Sequence, residues 1–83
     1  MPGVTHINVT VDFTKKKFGR YDLRIPVHQP VKQLLANLTE TLHLHIEEEF
    51  LYTIKVPAKS LLLSDDDRLA DYPITDGDIL VVL

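Results

Sequence analysis

The stretch Arg68-Leu69-Ala70-Asp71-Tyr72-Pro73-Ile74-Thr75-Asp76-Gly77-Asp78-Ile79-Leu80-Val81-Val82-Leu83 governs how the rest of the chain is read. Ala70-Asp71-Tyr72 has the length of one tight helical turn. Asp76-Gly77-Asp78 has the composition of a turn in which Gly77 takes a positive φ. Ile79 to Leu83 is then a strand that is apolar on both parities, with Ile79, Val81 and Leu83 on one side and Leu80 and Val82 on the other.

Upstream of that closing strand, residues 5 to 13 alternate. Ile7, Val9, Val11 and Phe13 point one way, and His6, Asn8, Thr10 and Asp12 the other, the period of a half-buried strand. Lys15-Lys16-Lys17-Phe18-Gly19 follows, with Gly19 able to supply a positive φ for a hairpin loop. Alternation resumes with Tyr21, Leu23 and Ile25 against Arg20, Asp22 and Arg24, so residues 5 to 25 are a hairpin that Pro26 ends. The period then changes. Val31, Leu34, Leu35, Leu38 and Leu42 share one helical stripe, and Lys32, Gln33, Asn37, Glu40 and His43 lie opposite. This predicts a helix over about 30–43, with Pro30 suited to its first turn and Gln29 a poor N-cap.

Residues 44 to 50 form a connection containing Glu47-Glu48-Glu49. Tyr52, Ile54 and Val56 alternate with Leu51, Thr53 and Lys55 in a third strand limited by Pro57. Leu61-Leu62-Leu63 is a short fourth strand and Ser64-Asp65-Asp66-Asp67 a polar turn. The order is strand, strand, helix, strand, short strand, strand. That is the β-grasp order: an α+β fold with a mixed four- to five-stranded sheet and one helix packed across one face. The last strand then lies centrally beside the first, which suits its apolar character. No internal repeat or linker divides the chain, so residues 1–83 are expected to be one domain.

Composition bounds the chemistry. With 83 residues the chain buries little more than ~60% of its unfolded surface, so few apolar residues are spare. It is 45% hydrophobic and 25% charged, with net charge −3 and scattered basic residues, which argues against nucleic acid as a partner. There is no cysteine, hence no disulfide or thiol chemistry. No apolar run approaches the ~20 residues of a membrane span, and Met1-Pro2-Gly3-Val4 does not begin a secretory signal. A cytoplasmic protein without direct membrane insertion is expected.

Two resemblances narrow the reading. Leu69-x-Asp71-Tyr72-x-Ile74, followed by a polar turn and an apolar strand, resembles the C-terminal half of ubiquitin. In such folds the corresponding tyrosine ties down the preceding turn through its hydroxyl, which places the acceptor for Tyr72 near Leu62 to Ser64. Ubiquitin's conjugation uses a flexible tail ending in two glycines. Here no glycine stands closer to the end than Gly77, so neither a covalent modifier nor a sulfur carrier is expected. More specifically, Val11-Asp12-Phe13-Thr14, Phe18-Gly19-x-Tyr21-Asp22-Leu23, Pro30-Val31-Lys32-x-Leu34, Ile54-Lys55-Val56 and Asp67-Arg68-Leu69-x-Asp71-Tyr72-x-Ile74-x-Asp76-Gly77-Asp78-Ile79-Leu80 are similar to the YukD/EsaB family. These are ubiquitin-like cytoplasmic proteins of the type VII (WXG100) secretion systems of Gram-positive bacteria. The resemblance implies a non-catalytic accessory or regulatory component. Its partners would be cytoplasmic domains of membrane-embedded secretion components, ubiquitin-like domains among them. A role in controlling expression of a secretion substrate is the alternative.

The residues offer little catalytic chemistry. His43-x-His45 has no cysteine or spaced carboxylate beside it, and a solvated helix end explains His43. Asp65-Asp66-Asp67 lacks the alternating oxygens, glycine and glutamate of a calcium loop. No Gly-x-Ser-x-Gly elbow and no glycine-rich phosphate loop is present. Lys15-Lys16-Lys17 gives at most about 1 kcal/mol per charge toward an anionic surface, and is equally explained as a soluble hairpin tip. No cofactor or metal is expected.

What remains is the sheet face opposite the helix. It should present His6, Asn8, Thr10 and Asp12 from the first strand and Arg20, Asp22 and Arg24 from the second. Thr53 and Lys55 would come from the third, and Leu80 and Val82 from the last. The expectation is an apolar contact made by Leu80 and Val82, with Asn8, Thr10 and Lys55 orienting a protein partner. The bland alternative is two ordinary exposed apolar side chains. Lys55 stands where ubiquitin's recognition face has an apolar residue, which argues against binding to ubiquitin receptors.

Overall fold

A computed structural model describes residues 5–44 and 53–83. Its strands are β1 (His6–Asp12), β2 (Arg20–Pro26), β3 (Ile54–Val56), β4 (Leu61–Leu63) and β5 (Ile79–Val82), with one helix, α1 (Val31–Thr41). They form one sheet in the order β2-β1-β5-β3-β4, in which only the central β1–β5 pair is parallel. This is the ubiquitin-like β-grasp arrangement. Leu51, Tyr52, His45 and the glutamates 47–49 lie outside the described residues, so the third strand is seen only from Ile54 onward.

The helix forms because its stripe has somewhere to go. Val31, Leu34 and Leu35 are fully buried, and Leu38 and Leu42 pack at the margin of the same core. Each of the buried three contributes roughly 1.5–3 kcal/mol. No side chain caps the N-terminus. Instead the 65–67 turn does so: Val31 N–H donates to the Asp67 carbonyl at 2.8 Å and Lys32 N–H to that of Asp65 at 3.0 Å. Pro30, expected in the first turn, stands one position earlier as the N-cap. At the other end Leu44 N–H reaches the Thr39 carbonyl at 2.8 Å and His43 N–H that of Glu40 at 3.2 Å. That is the Schellman motif, with His43 rather than glycine in the left-handed position at φ 57°.

The core beneath the helix is built from Ile7, Val9, Val11 and Phe13 of the β1 arm, with Ile25, Ile54, Val56, Leu63 and Leu69. Phe13 meets Tyr21 edge-on at 6.1 Å between ring centres.

Three local expectations change. The hairpin loop takes its positive φ at Lys17 (69°), not at Gly19, because a single 3-10 turn at Thr14–Lys16 ends there. Asp12, expected on the open face, is only 4% exposed. Its carboxylate turns back to accept the backbone N–H of Thr14 at 2.8 Å, the Thr14 hydroxyl at 2.6 Å and Arg20 Nε at 3.1 Å. The Tyr72 phenol interacts with the Asp67 carboxylate, beyond the expected 62–64 stretch, and that carboxylate itself accepts the Ser64 N–H at 2.8 Å. Partial burial, then the Asp67 bond and charge, push the Tyr72 phenol up.

The largest correction concerns β5. Leu80 and Val82 are fully buried, so they belong to the core and not to the open face. Thr10 pairs with Ile79, Val11 with Leu80 and Asp12 with Val81. Leu80 therefore shares the inward side of Val11, and Ile79 and Val81 face out. With both parities apolar, alternation had nothing to choose between. A slip of one residue exchanges the two faces.

Candidate docking face

The register of β5 is set by the turn before it. Gly77, at φ 88°, lets the chain reverse so that its N–H donates to the Asn8 carbonyl at 2.8 Å. Asp76 Oδ1 accepts the Asn8 N–H at 2.8 Å, and Thr10 N–H donates to the Asp78 carbonyl at 3.0 Å. The turn is in turn stitched to the segment after β3 by Lys59. Its Nζ donates to the Pro73 carbonyl, to Thr75 Oγ1 at 3.1 Å and to Asp78 Oδ2 at 2.7 Å. Asp78 Oδ2 also accepts the Thr75 N–H at 2.9 Å. Burial opposes the charged form of Asp78, but the bond from Lys59, the Thr75 amide and the Lys59 charge outweigh it and hold its carboxyl below the ordinary value. Asp12 is likewise held down, first by the two bonds from Thr14, with Arg20 adding to them against its burial.

With that register the open face of the sheet presents a definite set of side chains. Asn8 and Lys55 are exposed and Thr10 is half-buried, as the alternation predicts. The Thr10 hydroxyl donates to Asp22 Oδ1 at 2.6 Å, one strand over. Ile79 is 41% exposed, Leu62 is 62% exposed and Val81 is half-buried. Lys55 lies between Val81 and Leu62 in the pairing, so the three stand side by side across β5, β3 and β4. Two strand spacings separate Val81 from Leu62, about 10 Å.

Two shallow hollows meet at Gly77, and Ile79 lines the second of them. One of about 310 Å³ is bordered by Asn8, Thr10, Asp22 and Arg24. The other, about 320 Å³, is bordered by Arg20, Pro57, Ala58 and Val81. The structure thus brings Asn8, Thr10 and Lys55 to one face and removes Leu80 and Val82 from it. Ile79, Val81 and Leu62 supply the apolar character there instead. Sequence reasoning missed Leu62 because Leu61-Leu62-Leu63 has no alternation to read.

Asp12, Asp78 and Tyr72, the groups whose proton affinity the fold visibly shifts, each hold a turn. Among the described residues, no cluster of three His, Cys, Asp or Glu is placed to hold a metal ion. No helix among them is long and apolar enough to cross a membrane.

Comparison with known proteins places the chain. The family model described as "WXG100 protein secretion system (Wss), protein YukD" matches residues 6–82. The type VII secretion system accessory factor EsaB of Staphylococcus aureus strain Newman is 45% identical over 78 residues, covering 94% of this chain and 96% of that protein. EsaB of strains COL and N315 matches with the same figures.

Proposed function

The chain belongs to the YukD family, and on that premise we propose that it is a non-catalytic accessory component of a type VII protein secretion system, acting by docking without covalent conjugation. It works in the cytoplasm, and its partner is a cytoplasmic domain of a membrane-embedded component of the machinery. The observation that carries the docking mechanism is the open sheet face. Ile79 and Leu62 are the exposed large apolar side chains among the described residues, and both flank the row of Val81 and Lys55.

Such a surface has the makeup of a small interface, with an apolar centre and a polar rim. Covering one large apolar side chain completely contributes about 1.5–3 kcal/mol, and these two are partly covered already, so each has a fraction of that left to give. Asn8, Thr10 and Lys55 then orient the partner through hydrogen bonds and charge. Asp12 and Asp78, the carboxylates whose proton affinity the fold lowers, are engaged in holding turns, which supports a role without a reaction of its own.

A photocrosslinking residue at Ile79, with a control at Lys32 on the exposed side of α1, tests the face in a bacterium carrying the system. A crosslink to a membrane secretion component from position 79 and not from 32 is expected. Leu62→Asp and Ile79→Asp should each abolish co-purification of that component while shifting the melting temperature by only a few degrees. Retained binding in both variants refutes the face. A deletion strain that changes the transcript level of a secreted substrate, with secretion itself intact, refutes docking in favour of regulation.

A further inference from the structure

β2 forms one border of the sheet, and among the described residues it is laddered only to β1. The hydrogen-bond pattern shows which of its amides that ladder uses. Phe13 N–H donates to Gly19 at 3.0 Å at one end of the hairpin, and Val27 N–H to Thr5 at 3.0 Å at the other. Bonded pairs in an antiparallel ladder recur at every second residue. Tyr21, Leu23 and Ile25 therefore turn their N–H and C=O groups toward β1. Those of Arg20, Asp22 and Arg24 point outward along the open edge, and Pro26 adds a carbonyl without an N–H.

We propose that a second copy of this chain pairs along this edge, β2 against β2 and antiparallel, with Leu23 opposite the partner's Leu23. The charges select the register. Centring the pair on Asp22 sets aspartate against aspartate and Arg20 against the partner's Arg24. Centring it on Arg24 opposes two arginines. Both are unfavourable across strands. Centring it on Leu23 sets Asp22 against the partner's Arg24 and Arg24 against the partner's Asp22. These are the outward-bonding residues, so the two charge pairs coincide with the two doubly hydrogen-bonded pairs. Leu23, half-buried and already packed at the core margin, falls in the non-bonded pair where facing side chains come closest.

Centring on Tyr21 also opposes unlike charges, but through Arg20, whose Nε is already bonded to Asp12. It also carries Arg24 past the end of the partner's strand, to Phe18. Arg24 has no ion-pair partner among the described residues. Alternating charge protects an edge against most strands. Here the same alternation matches this strand's own reversed copy. A single seven-residue edge covers far less than the roughly 1,200 Å² of a standard interface, so the association is weak and concentration-dependent. Two five-stranded sheets joined in this way carry both docking faces on one side.

Sedimentation velocity of the full chain at millimolar protein in low salt tests the pairing. Wild type is expected to self-associate, and to do so less at high salt. Asp22→Arg and Arg24→Asp should each weaken dimerisation about tenfold or more, since both symmetric pairs become repulsive. An equimolar mixture of the two variants should associate again, because every cross-strand charge pair is then opposite in sign.

A thiol reads the register directly. The chain has no cysteine, and Cα atoms in a non-bonded pair lie about 4.5 Å apart, within disulfide reach. Oxidised Leu23→Cys should form a covalent dimer, and Tyr21→Cys should not. Monomeric wild type together with no Leu23→Cys crosslink overturns the proposal. So does a dimer whose strength ignores both charge variants, or one that crosslinks through Tyr21→Cys instead.

Discussion

Replacing Leu80 and Ile79 separately by alanine tests the register on which the docking face depends. The two residues are adjacent in β5, similar in size and equally apolar in sequence, yet Leu80 is fully buried and Ile79 is 41% exposed. Truncating a packed leucine loses its transfer energy and leaves a cavity, about 2–5 kcal/mol together. At Leu80 the cavity would be lined by core residues of β1 and β3, central strands that cannot easily collapse. The cost should therefore lie in the upper part of that range. At Ile79 a large part of the side chain is already in water and its loss leaves no enclosed cavity, so the cost should stay below about 1.5 kcal/mol.

A domain of this length has a total stability of roughly 4–12 kcal/mol, so Leu80→Ala removes a large share of it. At roughly 4–8 °C per kcal/mol, its melting temperature should fall by well over 10 °C, against a few degrees for Ile79→Ala. Urea unfolding followed by far-ultraviolet circular dichroism suits a chain without tryptophan, and an unchanged slope confirms that only stability moved. Equal losses at the two positions, or a larger loss at Ile79, would mean that β5 sits one residue out of register. The face made of Ile79, Val81 and Lys55 would then be wrong.

Two further outcomes follow from the turns. Asp12 and Asp78 both have folded-state carboxyls held below the ordinary value of 3.8, so they contribute stability above that value and lose it as pH falls through their lowered values. The unfolding midpoint should thus drop steeply below about pH 4. Lys59→Met should lower stability at pH 7 by about 1–3 kcal/mol, because the Asp78 side chain is 12% exposed and loses its cation, and it should flatten the acid dependence. An unchanged pH profile in that variant counts against the Lys59–Asp78 pair. His43→Gly should raise stability by about 0.5–1 kcal/mol, since glycine takes the left-handed helix end at φ 57° without steric cost. A loss of stability there, measured by the same urea titration, would show that the histidine side chain contributes more than its backbone strain costs.

Much of this protein can be read without coordinates. Strict alternation in His6–Asp12 and a 3.6-residue stripe at Val31, Leu34 and Leu35 dictate a strand and a helix locally, because a half-buried strand and an amphipathic helix each impose one period. With the order of elements, those periods lead to the β-grasp arrangement, and they place Asn8, Thr10 and Lys55 on the open face. Where a segment is apolar on both parities, as in Leu61–Leu63 and Ile79–Val82, the period carries no information about facing. There the choice falls to bonds between residues about 70 positions apart: Asn8 with Asp76 and Gly77, and Thr10 with Asp78. Those bonds put Leu80 and Val82 inside and Ile79 outside. The left-handed position at Lys17 and the inward turn of Asp12 were decided in the same way, by hydrogen bonds that exist only once the hairpin has closed. Sequence period sets what each segment can be, and long-range hydrogen bonding sets which way its side chains face.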